Sequence, residues 1–453
     1  MKTIAAISTS AASGGIGIVR ISGDDAIATA DAVFRSKSGK KISEMKGYTA
    51  ALGEVYLDGN PIDTAVALLF RAPKSYTGED VVELSVHGGS FVTKKVLRAV
   101  LSAGAVTAEP GEFTKRAFLN GKMDLSAAES VMSLISASGD RALKASKQAL
   151  DGNVSRETNE ICETLINISA AMAIWTDSPD DEMFEIDTEN VTKRLENAVN
   201  RMEKLLVNFD NGRAFLDGIP TVICGKPNAG KSTLMNLLTG FDRSIVTDVA
   251  GTTRDIVEET VRVGDVLLRL SDTAGIHDTG DKVESIGVQR AIRKIESSEL
   301  VIAVFDTSEA PDENDEKLVE YCKNHRYIAV FNKSDKPKNE VFQSFQQSFE
   351  HFVEISAKDG SGFDELKRKI ENVLKIDQFD DNTPTLINER QYSCVLRAKE
   401  IIDGCIDAIS AGVTLDAVNS DIDRAINSLA ELTGQKATET VVSEVFAKFC
   451  VGK

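Results

Sequence analysis

GKPNAGKS, Gly225 to Ser232, is the stretch that decides the fold of the middle of this chain. It fits the pattern G-x-x-x-x-G-K-[ST]. The apolar run TVIC precedes it and TLMNLL follows it, so the pattern lies between an expected strand and an expected helix. Glycines let backbone N–H groups turn toward phosphates, and the N-terminus of the following helix adds favourable partial charge. Lys231 would reach the β and γ phosphates, and the Ser232 hydroxyl would ligate Mg2+. Asn228, Ala229, Gly230 and Thr233 complete the expected GTP-binding residues of this loop. With Gly near ~7% of residues, the pattern arises by chance in a few per cent of chains this long, so alone it does not decide.

Outward from this loop, strands and helices alternate from Ile219 to about Ile376. DVLLRLSDT, LVIAVFDT, YIAVFNK and FVEISAK are short apolar runs that end in polar residues. The alternation predicts a doubly wound, mostly parallel sheet. Three strand ends then agree with the first loop. DTAG (Asp272, Thr273, Ala274, Gly275) follows LLRLS; Asp272 would hold Mg2+ through water, and the Gly275 N–H would touch the γ-phosphate. NKSD (Asn332 to Asp335, with Lys333) follows YIAVF. Asp335 can accept hydrogen bonds from the guanine N1–H and 2-amino group, a donor pair adenine lacks, so GTP is expected rather than ATP. SAK (Ser356, Ala357, Lys358) follows FVEI and would support the base edge. GTTRD supplies Thr253 as a switch threonine for Mg2+ and the γ-phosphate. Many GTPases orient water with a Gln directly after the DTAG-type segment. Here Ile276 and His277 stand there, so the water-orienting group must come from elsewhere. By residue type alone, His277 and Glu284 both read more naturally as surface side chains.

The rest of the 453-residue chain has different textures. At ~100–200 residues per domain, the length suits about three domains. Apolar residues make up 42% and charged residues 27%, an ordinary globular balance. No apolar run is long enough to span a membrane, and the N-terminal stretch, broken by Ser and Thr before GIGIVRI, reads as folded protein rather than a leader. Six scattered cysteines without zinc or redox spacing point to a reducing cytoplasm and mostly buried thiols. The net charge of −18 argues against nonspecific coating of nucleic acid, which needs clustered Lys and Arg. Seven acids in DSPDDEMFEIDTE (Asp177 to Glu189) read as a solvated loop.

From Lys2 to about Asn120, IGIVRIS, TAVALLF and VVELSVHG are strands by composition. Ser90 to Ala103 is a helix with Val92, Val96, Leu97, Val100 and Leu101 on one face, stopped at Gly104. Asp124 to Phe215 reads as helical. Helices return after Thr385, where Ile422, Ile426, Leu429 and Thr433 form one stripe. The expected architecture is therefore multi-domain: an α+β N-terminal domain (1–120) and an all-α helical domain in two parts (121–215 and 379–453). An α/β P-loop GTPase domain (216–378) is inserted between those parts. Two independent helical domains are the alternative.

At this point the chain resembles the tRNA modification GTPase family, MnmE (TrmE). The segments that carry the resemblance are GIGIVRISG, SYTGEDVVELSVHGG, PGEFTKRAFLNGKMDLSAAES, GKPNAGKSTLMN, IVTDVAGTTRDIVEE, DTAGI…VESIG and the terminal CVGK. They run over essentially the whole chain, and the N- and C-terminal ones discriminate, since other bacterial-type GTPases share the central motifs. The resemblance implies a homodimer formed through the N-terminal domain, which binds 5-formyltetrahydrofolate or a related tetrahydrofolate through Arg20, Glu83, Lys122 and Lys453. It implies K+ beside the GTP phosphates, held by Asn228, Thr247, Val249 and Thr252, with Glu284 as the catalytic, water-orienting residue. It also ties Cys450 to the modification chemistry; CVGK is a poor lipidation signal. Val451 stands where Ile is commoner, and His277 where Arg is usual. The implied function is a cytoplasmic, potassium-activated GTPase. With a flavin-containing partner, MnmG, in a heterotetramer, it would act on the wobble uridine of tRNA, adding a (carboxymethyl)aminomethyl-type group at the 5-position. A ribosome-assembly GTPase, the competing class, should carry a basic RNA-binding appendage such as a KH domain, and no GXXG loop in a basic context is found. A stand-alone folate enzyme would need activity without a partner.

Overall fold

The computed structural model describes residues 1–10, 12, 14–177, 187–216, 218–241, 259–271, 296, 298–374, 379–380 and 382–453. The chain is multi-domain, with an α+β N-terminal domain, an all-α domain and an α/β P-loop GTPase domain inserted into the latter. The described residues form two compact units, Met1–Met132 with Leu150–Ile166 and Asp423–Lys453, and Ser133–Ala149 with Asn167–Ile422.

In the first unit, β1 (Ile4–Ile7), β2 (Ile16–Ser22), β3 (Phe34–Ser36), β4 (Thr49–Leu57), β5 (Asn60–Phe70), β6 (Val81–His87) and β7 (Val106–Thr107) form one sheet. Its order is β3-β4-β5-β6-β2-β1-β7. Every neighbouring pair is antiparallel except β1 with β7. Strict alternation explains its two faces. Val19, Ile21, Ala65, Ala67, Leu69, Val82, Leu84 and Val86 share one core with residues of α1 (Ala26–Val33) and α2 (Ser90–Ser102). The expected α2 face meets that core through Val92, Val96, Leu97, Val100 and Leu101. The helix ends where Gly104 takes a left-handed φ of 113°. In the same unit, α3 (Glu112–Leu119) and the start of α4 (Leu125–Ser136) pack on the helix Glu439–Ala447 through Leu125, Ala128, Val442 and Phe446.

The expected helical stretch is interrupted twice. Residues 137–139 separate α4 from α5 (Asp140–Leu150), and Gly152, at φ 81°, lies between α5 and α6 (Asn153–Asp177). Local Ser and Gly at these points favour turns over helix continuation.

In the second unit, α7 (Thr188–Leu216) leads into β8 (Ile219–Cys224). The sheet order is β13-β12-β11-β8-β10-β9, with β9 (Glu259–Val263), β10 (Val266–Ser271), β11 (Leu300–Asp306), β12 (Arg326–Asn332) and β13 (Phe352–Glu354). All pairings are parallel except β9 with β10, so the mostly parallel expectation is met with one antiparallel edge. The continuous apolar runs of β8, β11 and β12 follow from burial on both faces. Leu300, Ile302 and Val304 enter one core and Val301, Ala303 and Phe305 the other. The chain enters and leaves this sheet side by side: Phe215 and Phe379 meet edge-on at 4.7 Å. Asn208, buried in α7, donates to the Thr383 carbonyl at 3.2 Å and to Thr385 Oγ1 at 2.9 Å, and its Oδ1 accepts the Asp380 N–H at 2.9 Å. Among the described residues, no helix is long and apolar enough to cross a membrane.

Candidate functional site

Parallel strands end on one edge of the sheet, and the loops that leave them build the site. Gly225 follows β8 with φ 147°; a Cβ there would lie 2.2 Å from the Val304 carbonyl oxygen, so only glycine lets the loop pass. Asn228 is left-handed at φ 64°, and Gly230 follows at φ 98° before α8 (Lys231–Phe241) begins. Backbone N–H groups in such a turn face a common point, the geometry of an anion cradle.

The loops interlock. Asn332, at the end of β12 and only 2% exposed, donates through Nδ2 to the Ala229 carbonyl at 2.8 Å. Its Oδ1 accepts the Ala357 N–H at 2.9 Å. One amide thus ties the phosphate loop to the SAK loop. Ser356 Oγ, buried, donates to Asp335 Oδ1 at 3.0 Å. Lys333, in a left-handed φ of 67°, pairs with Asp306 at the end of β11 at 2.5 Å. Burial alone would raise the Asp306 carboxyl, but bonds from Lys333 and Ser308 outweigh it and hold its pKa below the usual value.

Lys231 donates from Nζ to the carbonyls of Gly225 at 2.9 Å and Lys226 at 2.7 Å, folded over the loop it belongs to. Burial pulls its pKa down, because it takes the ammonium out of water. An anion in the cradle would satisfy that charge. Asn228, Gly230, Lys231, Ser232 and Thr233 line one side of a cleft of about 480 Å3, and Asn332, Lys333, Asp335, Ala357 and Lys358 line the other. Ala229, 2% exposed, lies beneath this lining.

The structure thus brings the phosphate-loop, NKSD and SAK residues around one cleft. Thr247, Val249, Thr252, Thr253, Asp272, Thr273, Ala274, Gly275, Ile276, His277 and Glu284 lie outside the described residues.

A second constellation lies on the sheet of the first unit. Arg20 Nε pairs with Glu83 Oε1 across β2 and β6 at 2.8 Å, with both side chains under one-fifth exposed. The guanidinium stands 5.5 Å from the ring centres of Tyr76 and Phe113. Phe113 donates its N–H to the Lys453 carbonyl oxygen at 3.2 Å, and Gly111 donates to the Cys450 carbonyl at 3.4 Å, beside a bridge between Pro110 and Val451. Lys122 Nζ donates to the Pro73 carbonyl at 3.0 Å, in the loop that carries Tyr76. Cys450 is half-buried, Cys224, Cys322, Cys394 and Cys405 are buried, and none of the six cysteines is in a disulfide. Burial pushes Cys162 up to about 11 and Cys322 up to about 12.

Sequence reasoning missed two things here. One is the bracing work of Asn332. The other is the pairing of Lys226 with Asp312 and Asp315; its only signal was a cluster of acids at a helix start.

Two family models cover the chain: the GTP-binding protein TrmE N-terminus over residues 3–122, and the MnmE helical domain over residues 125–450. The tRNA modification GTPase MnmE of Lacticaseibacillus paracasei is 39% identical over 456 residues, covering 100% of this chain and 98% of its own. That of Carboxydothermus hydrogenoformans is 37% identical over 457 residues, with 100% and 99% covered. A crystal structure of Aquifex aeolicus Era bound to GDP and AlF4− is 27% identical over 40% of this chain and 65% of that one. Its TM-score is 0.27. A P-loop cleft with a guanine-type base loop, joined to these two full-length matches, places the chain in the MnmE (TrmE) family of tRNA modification GTPases, whose members hydrolyse GTP.

Proposed function

We propose that this GTPase drives modification of the tRNA wobble uridine at its 5-position, giving a (carboxymethyl)aminomethyl-type product, as the homodimeric half of a cytoplasmic complex with a flavin-containing partner of the MnmG type. The observation that carries its nucleotide chemistry is the Asn332 amide, which holds the phosphate loop and the base loop as the two walls of one cleft. In this reading Gly230, Lys231, Ser232 and Thr233 hold the phosphates, and Asn332, Lys333, Asp335 and the SAK residues hold guanine. The domain limits that go with it are 1–120, 121–215, 216–378 and 379–453.

Mg2+ would be held by Ser232 and Thr253. Ser232 lines the cleft next to Lys231, which fits an ion shared with phosphate oxygens. K+ would be held by Asn228, Thr247, Val249 and Thr252. The left-handed Asn228 on the cleft wall fits a loop residue turned toward an ion. Such a cation supplies positive charge of the kind an arginine finger brings, worth ~10³–10⁵ in rate elsewhere. Lys231 compensates phosphate charge, and Glu284 orients the attacking water. Hydrolysis in potassium should exceed that in sodium by about tenfold or more, and equal rates would overturn the potassium reading. Glu284→Ala should bind GTP and lose most turnover; single-turnover hydrolysis near the wild-type rate would remove Glu284 from its role.

The tetrahydrofolate site is proposed at Arg20, Glu83, Lys122 and Lys453. A half-buried cation and carboxylate against two aromatic rings fit a flat, amino-bearing ring system with a carboxylate tail. The folate would supply the one-carbon unit. Cys450 is assigned to the modification reaction, held by its carbonyl on Gly111. Dimerisation is supported by the sheet face turned away from α1 and α2, where Ile16, Leu52 and Val66 are 67%, 49% and 40% exposed. Formation of modified uridine from purified components should require the partner; product without it would favour a stand-alone folate enzyme.

A further inference from the structure

The phosphate loop is anchored at both ends, at one end by a residue of the nucleotide motifs and at the other by two aspartates outside them. Asn332 holds the far end through the Ala229 carbonyl. The near end is held by Lys226, the second residue of GKPNAGKS. Its ammonium pairs with Asp312 Oδ2 at 2.8 Å and with Asp315 Oδ2.

Those two carboxylates already have a task. Asp312 precedes the helix Glu313–Cys322, and its Oδ1 accepts the N–H groups of Asn314 at 2.8 Å and Asp315 at 3.3 Å. Asp315 Oδ2 returns the bond, accepting the Asp312 N–H at 3.1 Å. This reciprocal arrangement is a capping box made of two aspartates. Two carboxylates this close repel, and a cation between them relieves it. The helix N-terminus favours the same negative charge. Lys226 is 23% exposed and Asp315 8%, so the pair is shielded from water more than a surface ion pair. Burial would lower the Lys226 pKa, yet the two carboxylates raise it above the ordinary lysine value. Its charge is therefore committed to the helix start.

The Lys226 main chain faces the site. Its carbonyl accepts Lys231 Nζ at 2.7 Å and the Ala229 N–H at 3.3 Å, both from residues that follow left-handed Asn228. Fixing the Lys226 side chain fixes the direction of that carbonyl. This sets both the resting place of Lys231 and the turn that points the loop N–H groups inward.

We propose that Asp312 and Asp315, acting through Lys226, are positioning residues that hold the phosphate loop in its nucleotide-ready shape and couple it to the helix Glu313–Cys322. The wild-type chain and its variants are titrated with a fluorescent GDP analogue, and GTP turnover is measured in parallel. Asp312→Ser with Asp315→Asn keeps both capping acceptors and removes both charges. This double variant should raise the analogue's Kd about tenfold, mainly through faster release, with KM for GTP rising much more than kcat falls. Lys226→Met should do the same, and Lys226→Arg should restore most of the affinity. Combining Lys226→Met with the double variant should cost little more than either, because all three act on one interaction.

A Kd within twofold of wild type in the double variant would overturn the proposal, and so would fully additive losses, which would place Lys226 directly on the nucleotide. Should Lys226→Met fail to fold, the capped double variant decides by itself. Failure of the wild-type chain to bind the analogue would instead remove the nucleotide reading.

Discussion

Asn332 shows how much one side chain can hold. It is the first residue of NKSD, yet its amide faces the protein, with both polar atoms bonded in a buried position. Asn332→Ala would leave the Ala229 carbonyl and the Ala357 N–H without a partner. Each costs about 1–3 kcal/mol when buried, so urea unfolding of the variant should show a loss of about 2 kcal/mol or more, with weaker nucleotide binding. Asp306 gives a pH signature. Its folded pKa lies below the ordinary aspartate value. The stability it contributes is then complete above the unfolded pKa and lost as pH falls through the folded one. Asp306→Asn should flatten the fall of the urea midpoint below about pH 4; an unchanged acid limb would refute this.

At the scale of elements, the site depends on glycines placed where backbones nearly touch. A Cβ on Gly230 would stand 2.0 Å from Asn332 Nδ2, at a φ of 98° that strains any other residue. Gly230→Ala should therefore displace the Asn332 brace and weaken fluorescent GDP binding at least about tenfold, a loss of about 1.4 kcal/mol. Gly452 does a similar job in the other unit. Its φ is 97°, and a Cβ would lie 2.3 Å from the Ile7 carbonyl oxygen. Gly452→Ala should detach the segment Cys450–Lys453 from β1 and α3. Faster hydrogen exchange at the Gly111 and Phe113 amides would report it, since their acceptors are the Cys450 and Lys453 carbonyls. The strands were legible because burial on both faces demands unbroken apolar runs, as in LVIAVF and YIAVF. The strands β1 and β9 carried no comparable signal, because each is short and settles as a strand only beside a partner.

At the scale of the whole molecule, the open face of the N-terminal sheet has the strongest consequence. Leu52, Val66, Ser85 and Ile18 follow one another across four strands of that face. A charge in its middle should oppose association without disturbing the core on the other side. Val66→Asp should shift the chain toward monomer in sedimentation velocity, with intrinsic fluorescent GDP binding intact. A variant that sediments like wild type would count against this face as the dimer surface.

The family, the multi-domain fold class and the use of GTP were legible in the sequence alone, since short motifs at strand ends carry their chemistry in residue type and order. The helical stretch on either side of the nucleotide domain was legible too, although its breaks at residues 137–139 and at Gly152 came from local turn chemistry. Partnerships across long separations were decided by the tertiary structure. Lys226 meets Asp312 and Asp315 because β8 and β11 are neighbours in the sheet, and Arg20 meets Glu83 because β2 pairs with β6 in one register. GKPNAGKS stated what would be bound. Which groups hold that loop in shape depended on contacts that form only once the sheet is assembled.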